Sequence, residues 1–239
     1  MENFRVIPAL ILQNGSFVKG RAFKKHRYVG DPMNILKIFN DKDVDEISIV
    51  DPFTSKLSTE YISELQKIIS YAYLPVSFGG ALYDIGTITS LNRIGVEKFI
   101  FKLGKNLNKC LLKEVSQTFG SQSVILHLPV IFLRDKSFLY PKNLFQTQFQ
   151  FQDIIEIQDF IGEILITNVL SEGKRNSEIS FSKMVPVMEL PCPVLYQGGV
   201  ASKEDLKVLK NIGYSGCCVG ASFVFVGKRD SVNVGYFKL

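Results

Sequence analysis

Two glycine pairs half a chain apart, Gly79-Gly80 and Gly198-Gly199, are the residues of this sequence best suited to hold a phosphate. Glycine lets backbone amides approach an anion closely, and a helix that follows such a turn adds favourable partial charge. The next apolar run ends in small residues both times, at Leu103-Gly104 and at Ala221-Ser222. One glycine pair reads equally well as a tight turn, so the repetition carries the argument. Two cradles at equivalent places would suit a ligand phosphorylated at both ends. Metal chemistry has no comparable support. Cys110, Cys192, Cys217 and Cys218 with two His lack zinc-ligand spacing, so the cysteines read as reduced packing residues and no metal or cofactor is expected.

These turns need strands before them and helices after them, and the chain supplies both. Short apolar runs near 5–11, 46–51, 75–78, 98–102, 124–128, 163–168, 193–197 and 217–221 predict eight strands separated by segments of helical period. Asp31-Pro32 supplies a cap and a first-turn proline, Asp84 and Gly95 bracket a second helix, and Ser202-Lys203-Glu204-Asp205 has a capping-box pattern closed by Gly213. The helix ending Leu91-Asn92-Arg93-Ile94-Gly95 is echoed by one ending Leu209-Lys210-Asn211-Ile212-Gly213. Two matching halves, about 1–120 and 121–239, each with four strand-helix units, predict one α/β domain over 1–239: a (βα)8 TIM barrel with internal duplication. A doubly wound open sheet is the alternative, and it offers no reason for the halves to match.

Composition bounds the class. With 46% hydrophobic and 21% charged residues the chain can bury a full core, which excludes wholesale disorder. The apolar run Gly216 to Gly227 is too short to cross a bilayer, and Met1-Glu2-Asn3-Phe4 lacks the pattern of a secretory signal, so a cytoplasmic location without membrane contact is expected. A net charge of +5 is mild, and the cations read as dispersed, so nucleic acid is not an expected partner while a phosphorylated small molecule is.

Arg5-Val-Ile-Pro-Ala-Leu-Ile, Gly15-Ser-Phe-Val-Lys19-Gly20, Tyr28-Val-Gly-Asp-Pro, Asp45-Glu46, Asp51, Phe78-Gly-Gly, Phe119-Gly-Ser-Gln, Glu163-Ile-Leu-Ile-Thr167 and Gly198-Gly199, taken in order, resemble HisF, the cyclase subunit of imidazole glycerol phosphate synthase. The resemblance covers essentially the whole chain. It implies a half-barrel-duplicated (βα)8 fold, a HisH-type glutaminase on the amino-terminal barrel face, and ammonia passed through the interior to the top. It also implies ring closure by one aspartate in each half, used as acid and base.

The chain departs from that pattern where the chemistry is done. Ile11 in Pro8-Ala9-Leu10-Ile11 takes the place of the first aspartate, and Pro129 in Leu126-His127-Leu128-Pro129 takes the place of the second. Neither can move a proton. The Asp-Arg-Asp-Gly after the sixth strand reads Leu170-Ser171-Glu172-Gly173, which keeps only Glu172 and Gly173 of that phosphate-side pattern. Lys19, Asp51, His127 and Glu172 are weak candidates for replacement catalysis. For His127 a structural role is preferred, with strand alternation turning it toward the helices.

At the opposite pole the resemblance is intact. Arg5, Glu46, Lys98 and Glu163 match a ring of two basic and two acidic residues that gates ammonia entry in the family. The plain alternative is a salt-bridge plug that only stabilises the pole. A retained gate with erased acids is expected of a HisF-like synthase subunit that receives ammonia from a HisH-like glutaminase. Such subunits resemble those that pass it to a sugar amidotransferase making acetamidino sugars of surface polysaccharide. An authentic cyclase with relocated acid and base, and a non-catalytic scaffold regulating a glutaminase, are the other readings. Residues 134–152 match the family poorly and read as either a lid or a hairpin.

Overall fold

The computed structural model describes residues 4–21, 23–104, 107–133, 136–139, 152–175, 187–227 and 229–239. Thirteen strands run in chain order among them: β1 Arg5–Gln13, β2 Ser16–Arg21, β3 Lys24–Gly30, β4 Ile47–Val50, β5 Val76–Gly79, β6 Val96–Lys102, β7 Val124–Leu133, β8 Lys136–Leu139, β9 Glu163–Asn168, β10 Val194–Gln197, β11 Gly216–Val219, β12 Phe225–Val226 and β13 Ser231–Val232. Eight of these, β1, β4, β5, β6, β7, β9, β10 and β11, pair in parallel, and β11 returns to β1 with Arg5 opposite Gly216 and Pro8 opposite Val219. The sheet therefore closes on itself as a (βα)8 barrel, and the eight strands expected from the apolar runs are its staves.

Helices cover the outside: α1 Pro32–Asp41, α2 Thr59–Ile69, α3 Ile85–Arg93, α4 Lys109–Phe119, α5 Gln152–Ile155, α6 Lys203–Ile212 and α7 Ala221–Val224. Their starts are chemically marked. Asp31, Ser58, Asp84 and Asn108 each accept from an amide three residues on, satisfying one of the donors a helix leaves unpaired. Before α6 the capping box closes in both directions: Ser202 Oγ accepts from Asp205 N at 3.3 Å, and Asp205 Oδ2 accepts from Ser202 N at 3.0 Å. No helix among the described residues is long and apolar enough to cross a membrane.

Alternation along the staves makes two cores. Val6, Leu10, Phe78, Leu126, Ile164 and Tyr196 point outward into the large sheet-helix core. Ile7, Ala9, Ile100, Ile125, Leu165, Leu195 and Cys218 point inward and fill the barrel. Cys110 is exposed on α4, so the packing role expected of it is wrong; Cys217 and Cys218 do have that role.

Two elements lie outside the barrel repeat. β2 and β3 form an antiparallel hairpin continuing from β1, with Gln13 paired to Ser16. β8 folds back on β7, so residues 136–139 of the 134–152 stretch are a hairpin arm; the rest of that stretch, apart from Gln152 at the start of α5, lies outside the described residues.

Candidate functional site

Arg5, Glu46, Lys98 and Glu163 meet at the amino-terminal pole because each stands at or near the start of an inward-facing stave. Arg5 Nη1 lies 3.1 Å from Glu46 Oε2 and Nη2 lies 2.7 Å from Glu163 Oε1, while Lys98 Nζ lies 2.8 Å from Glu46 Oε2 and 3.1 Å from Glu163 Oε1. Every charge touches two of opposite sign, so the four form a closed square. The cations sit outermost, with side chains 24% and 19% exposed for Arg5 and Lys98 against 3% for Glu46. Burial pushes the Glu46 carboxyl above its ordinary range against the opposing pull of Lys98. On Arg5 burial acts to lower the value, and Glu163 and Glu46 outweigh it, leaving the guanidinium raised. Glu46 Oε1 and Glu163 Oε2 are buried with no donor among the described residues.

Beyond the square the lumen is mainly apolar, with Ile7, Ile100, Ile125, Leu165, Leu195 and Cys218 filling most of it. The buried Ser48 and Ser77 share the inward faces of β4 and β5. His127 corrects an expectation: it follows inward Ile125 by two residues, so it points into the lumen and not toward the helices. Its Nε2 lies 2.9 Å from Thr167 Oγ1. The run Val124–Leu133 is apolar almost throughout, which hides its facing from a period-two reading.

Burial, followed by the charge on Lys102, pulls the His127 imidazole down to about 3. A folded-state value below the unfolded one means that the unfolded chain binds the proton first as pH falls below about 6.5. The stability contributed by neutral His127 is therefore complete above that pH and is lost as pH drops toward about 3. His127→Gln is expected to flatten the stability-pH curve between pH 6.5 and 4, removing a slope of at most about 1.4 kcal/mol per pH unit, as read by denaturant titration. An unchanged slope would mean that His127 is already free to charge in the folded protein.

At the carboxyl-terminal mouth, Ile11 is 6% exposed and apolar, and Pro129 pairs with Thr167 at the upper end of β7. Asp51 is fully occupied: its carboxylate accepts from Phe53 N, Thr54 N, Thr54 Oγ1 and Tyr61 Oη at 2.7 to 3.0 Å. It shapes the loop after β4. Gly80, at φ +143°, presses on the Asp51 backbone so closely that a Cβ there would overlap it. That glycine is required by loop packing in the first half of the chain.

The second half contributes most of a small polar pocket. Lys19, Glu172, Gly173, Gly198, Gly199, Gly220 and Ala221 line it together, so most of the expected phosphate group of that half converges. Ser222 stands beside it and donates to Val200 O at 2.5 Å, tying two of the loops together. Lys19 reaches down from β2 to form an ion pair with Glu172, with both side chains at most 3% exposed. Glu172 Oε2 and Asn168 Oδ1 are buried without a donor among the described residues. Gly173, at φ +73°, is where the Gly20 backbone seats, and any Cβ would collide with it. Gly79, Gly80 and Gly104 belong to the other side of the mouth and do not line this pocket. No cluster of three metal-ligating side chains occurs among the described residues.

The hairpin carries what the sequence reading missed. Lys19, Arg21, Lys24, Lys25 and Arg27, with His26 among them and no acid between, lie on β2 and β3 at the mouth, so the cations are not evenly dispersed. His26 is lowered by burial first; Glu172 opposes that shift and Lys19 adds to it, so His26 stands close to the buried pair. Its ring meets Phe53 edge-on at 4.9 Å. Two signals were available: the uninterrupted basic run, and Asn14-Gly15, whose φ of 49° and 71° make a two-residue hairpin turn.

Comparison with known proteins agrees with this architecture. A family model described as "Histidine biosynthesis protein" matches residues 5–228. An imidazole glycerol phosphate synthase subunit HisF of Clostridium botulinum is 28% identical over 88% of this chain and 86% of its own length. A Pseudomonas aeruginosa protein carrying the name of subunit hisF2 is 28% identical over 97% of this chain and 95% of its own. An imidazole carboxamide isomerase of Methanosphaera stadtmanae is 26% identical over 91% and 92%. With 624 curated proteins matching at a stringent threshold, the likeness does not rest on any one relative. The chain thus belongs to the histidine biosynthesis protein family, as a divergent HisF-like member.

Proposed function

We propose that this barrel is the ammonia-conducting synthase subunit of a glutamine-dependent amidotransferase, fed by a HisH-like glutaminase at the amino-terminal pole and serving the amidination of a surface-polysaccharide sugar. The observation that carries the reading is a contrast between the two poles. The square of Arg5, Glu46, Lys98 and Glu163 is complete, with two carboxylate oxygens unpartnered among the described residues. The places of both ring-closing aspartates hold Ile11 and Pro129.

Each part has a physical task. The ion-paired square closes the pole to water and ions, and loosening of one pair would admit a small neutral molecule. Glu46 Oε1 and Glu163 Oε2 can accept N–H bonds from ammonia as it enters. The apolar lumen then favours ammonia over ammonium, because burying an unpaired charge there is costly. His127, neutral at physiological pH, gives no proton to the passing base. The glycine-lined pocket at the mouth would take a phosphorylated acceptor.

The reading is tested by mixing the purified barrel with its cognate HisH-like glutaminase. Glutamine hydrolysis is expected to rise at least about tenfold over the glutaminase alone, a lowering of the activation barrier by about 1.4 kcal/mol. No stimulation, with no complex on gel filtration, would remove the glutaminase from the account.

A further inference from the structure

We propose that the pocket side of the barrel mouth takes a diphosphate ester, with one phosphoryl group in the cradle of Gly198, Gly199 and Ala221 and the adjacent one on Arg27, and that Glu172 occupies Lys19 in its place beforehand. The inference rests on the reading that this face receives the ammonia acceptor, and it is independent of the conduit below.

Lys19 is the first reason. Its ammonium fills the space that a side chain at Gly220 would need, so it stands inside the glycine-lined pocket. The only carboxylate on it among the described residues is Glu172, whose second oxygen is buried and unpartnered. With one acceptor on it among the described residues, the ammonium keeps N–H donors for a second. A phosphoryl dianion has three oxygens to divide between the ammonium and the backbone amides, and so would satisfy both sets of donors.

Arg27 is the second. It is the cross-strand partner of Lys19 in the hairpin, and residues paired in this way leave the same face of the ladder. Its guanidinium lies 5.5 Å from the centroid of the Phe225 ring, so it is held at the residue that closes α7, the short helix whose first residue is Ala221 of the cradle. No carboxylate pairs with Arg27, Lys24 or Lys25 among the described residues. Nearby, Arg21 and Arg175 share one carboxylate, Asp230, at 2.6 and 2.7 Å. This side of the mouth thus has cations in excess of the carboxylates paired with them among the described residues. The two glycine turns are seated alike, Gly80 on the Asp51 backbone and Gly198 on the Asn168 backbone, so the basic hairpin is what sets this side apart. The asymmetry favours two phosphoryl groups joined to each other over one at each end of the ligand.

Isothermal titration of the purified chain with inorganic phosphate, pyrophosphate and uridine diphosphate at one ionic strength tests this. Pyrophosphate and uridine diphosphate are expected to bind at least about tenfold more tightly than phosphate. Arg27→Gln should abolish that advantage while leaving phosphate binding intact, and Glu172→Gln should tighten all three ligands several-fold by freeing Lys19. Equal affinity for phosphate and pyrophosphate, or an advantage that survives in Arg27→Gln, would overturn the proposal. So would a single-stranded oligonucleotide competing as well as uridine diphosphate, which would mark a general polyanion surface. Arg27 is exposed, and its replacement is not expected to disturb folding. These titrations use the barrel alone, whereas the conduit is read from coupling to a glutaminase, so failure of one is distinguishable from failure of the other.

Discussion

Given the histidine-pathway nucleotide and excess ammonium, the chain is expected to close the imidazole ring at least about 10⁴-fold more slowly than a HisF subunit that carries both aspartates. Each positioned acid or base is worth about 10²–10⁴-fold, and both places are filled by side chains that cannot exchange a proton. The structure also disfavours a replacement. Asp51 spends its carboxylate on four donors of its own loop. His127 is held neutral, so at physiological pH it cannot serve as the acid, and its Nε2 is engaged with Thr167, which counts against a role as the base. Glu172 is tied to Lys19 and buried. Steady-state turnover with ammonium, which bypasses any glutaminase, measures the deficit directly, and the gene should fail to rescue a histidine auxotroph. Turnover within tenfold of an authentic cyclase would show that acid and base have moved, with Glu172 the first residue to replace.

Replacing Lys98 with Ala is expected to act at the other pole, on coupling and on stability together. The change leaves Glu46, which is 3% exposed, with Arg5 as its remaining partner in the square, and Glu163 likewise. Removing one member of a buried ion pair costs about 3–5 kcal/mol, and the partial exposure of Lys98 places the expectation near about 3 kcal/mol by denaturant titration. Below the melting transition, glutamine hydrolysis should continue while transfer of its nitrogen to the acceptor falls at least about tenfold, because the pole no longer seals. A scaffold would behave differently: the variant would lose stability yet keep full coupling. Lys98→Met, which retains the aliphatic stem that packs at the pole, separates lost charge from lost volume.

Much of the barrel was readable because local signals and the global fold agree. Asp31-Pro32 starts α1 as expected, and Ser202 with Asp205 closes a capping box whose helix ends at Gly213 with φ +107°. The staves stood out as short apolar runs between such helices, since a stave covered on both faces has little reason to alternate. That same property concealed the facing of His127, which only the register of β7 with β9 settles. The hairpin was lost for another reason. Its residues are polar and basic, its ladder is interrupted by register shifts, and its place over the mouth comes from long-range contacts such as Lys19 with Glu172 and Gly20 with Gly173. None of those contacts has a periodic signature. The four charges of the pole were readable only through resemblance, because they are scattered from Arg5 to Glu163 and the barrel alone brings them within about 3 Å of one another.

The passage itself is open to direct measurement. With glutamine labelled in its amide nitrogen, unlabelled ammonium in large excess outside, and the complete complex of glutaminase, barrel and amidating enzyme, a sealed interior route predicts product that carries the label. A lumen blocked by Ala9→Trp, in a chain shown to remain folded, should instead yield product drawn from the unlabelled pool. Unlabelled product from the intact barrel, or labelled product from the plugged one, would contradict the claim that nitrogen travels along its axis.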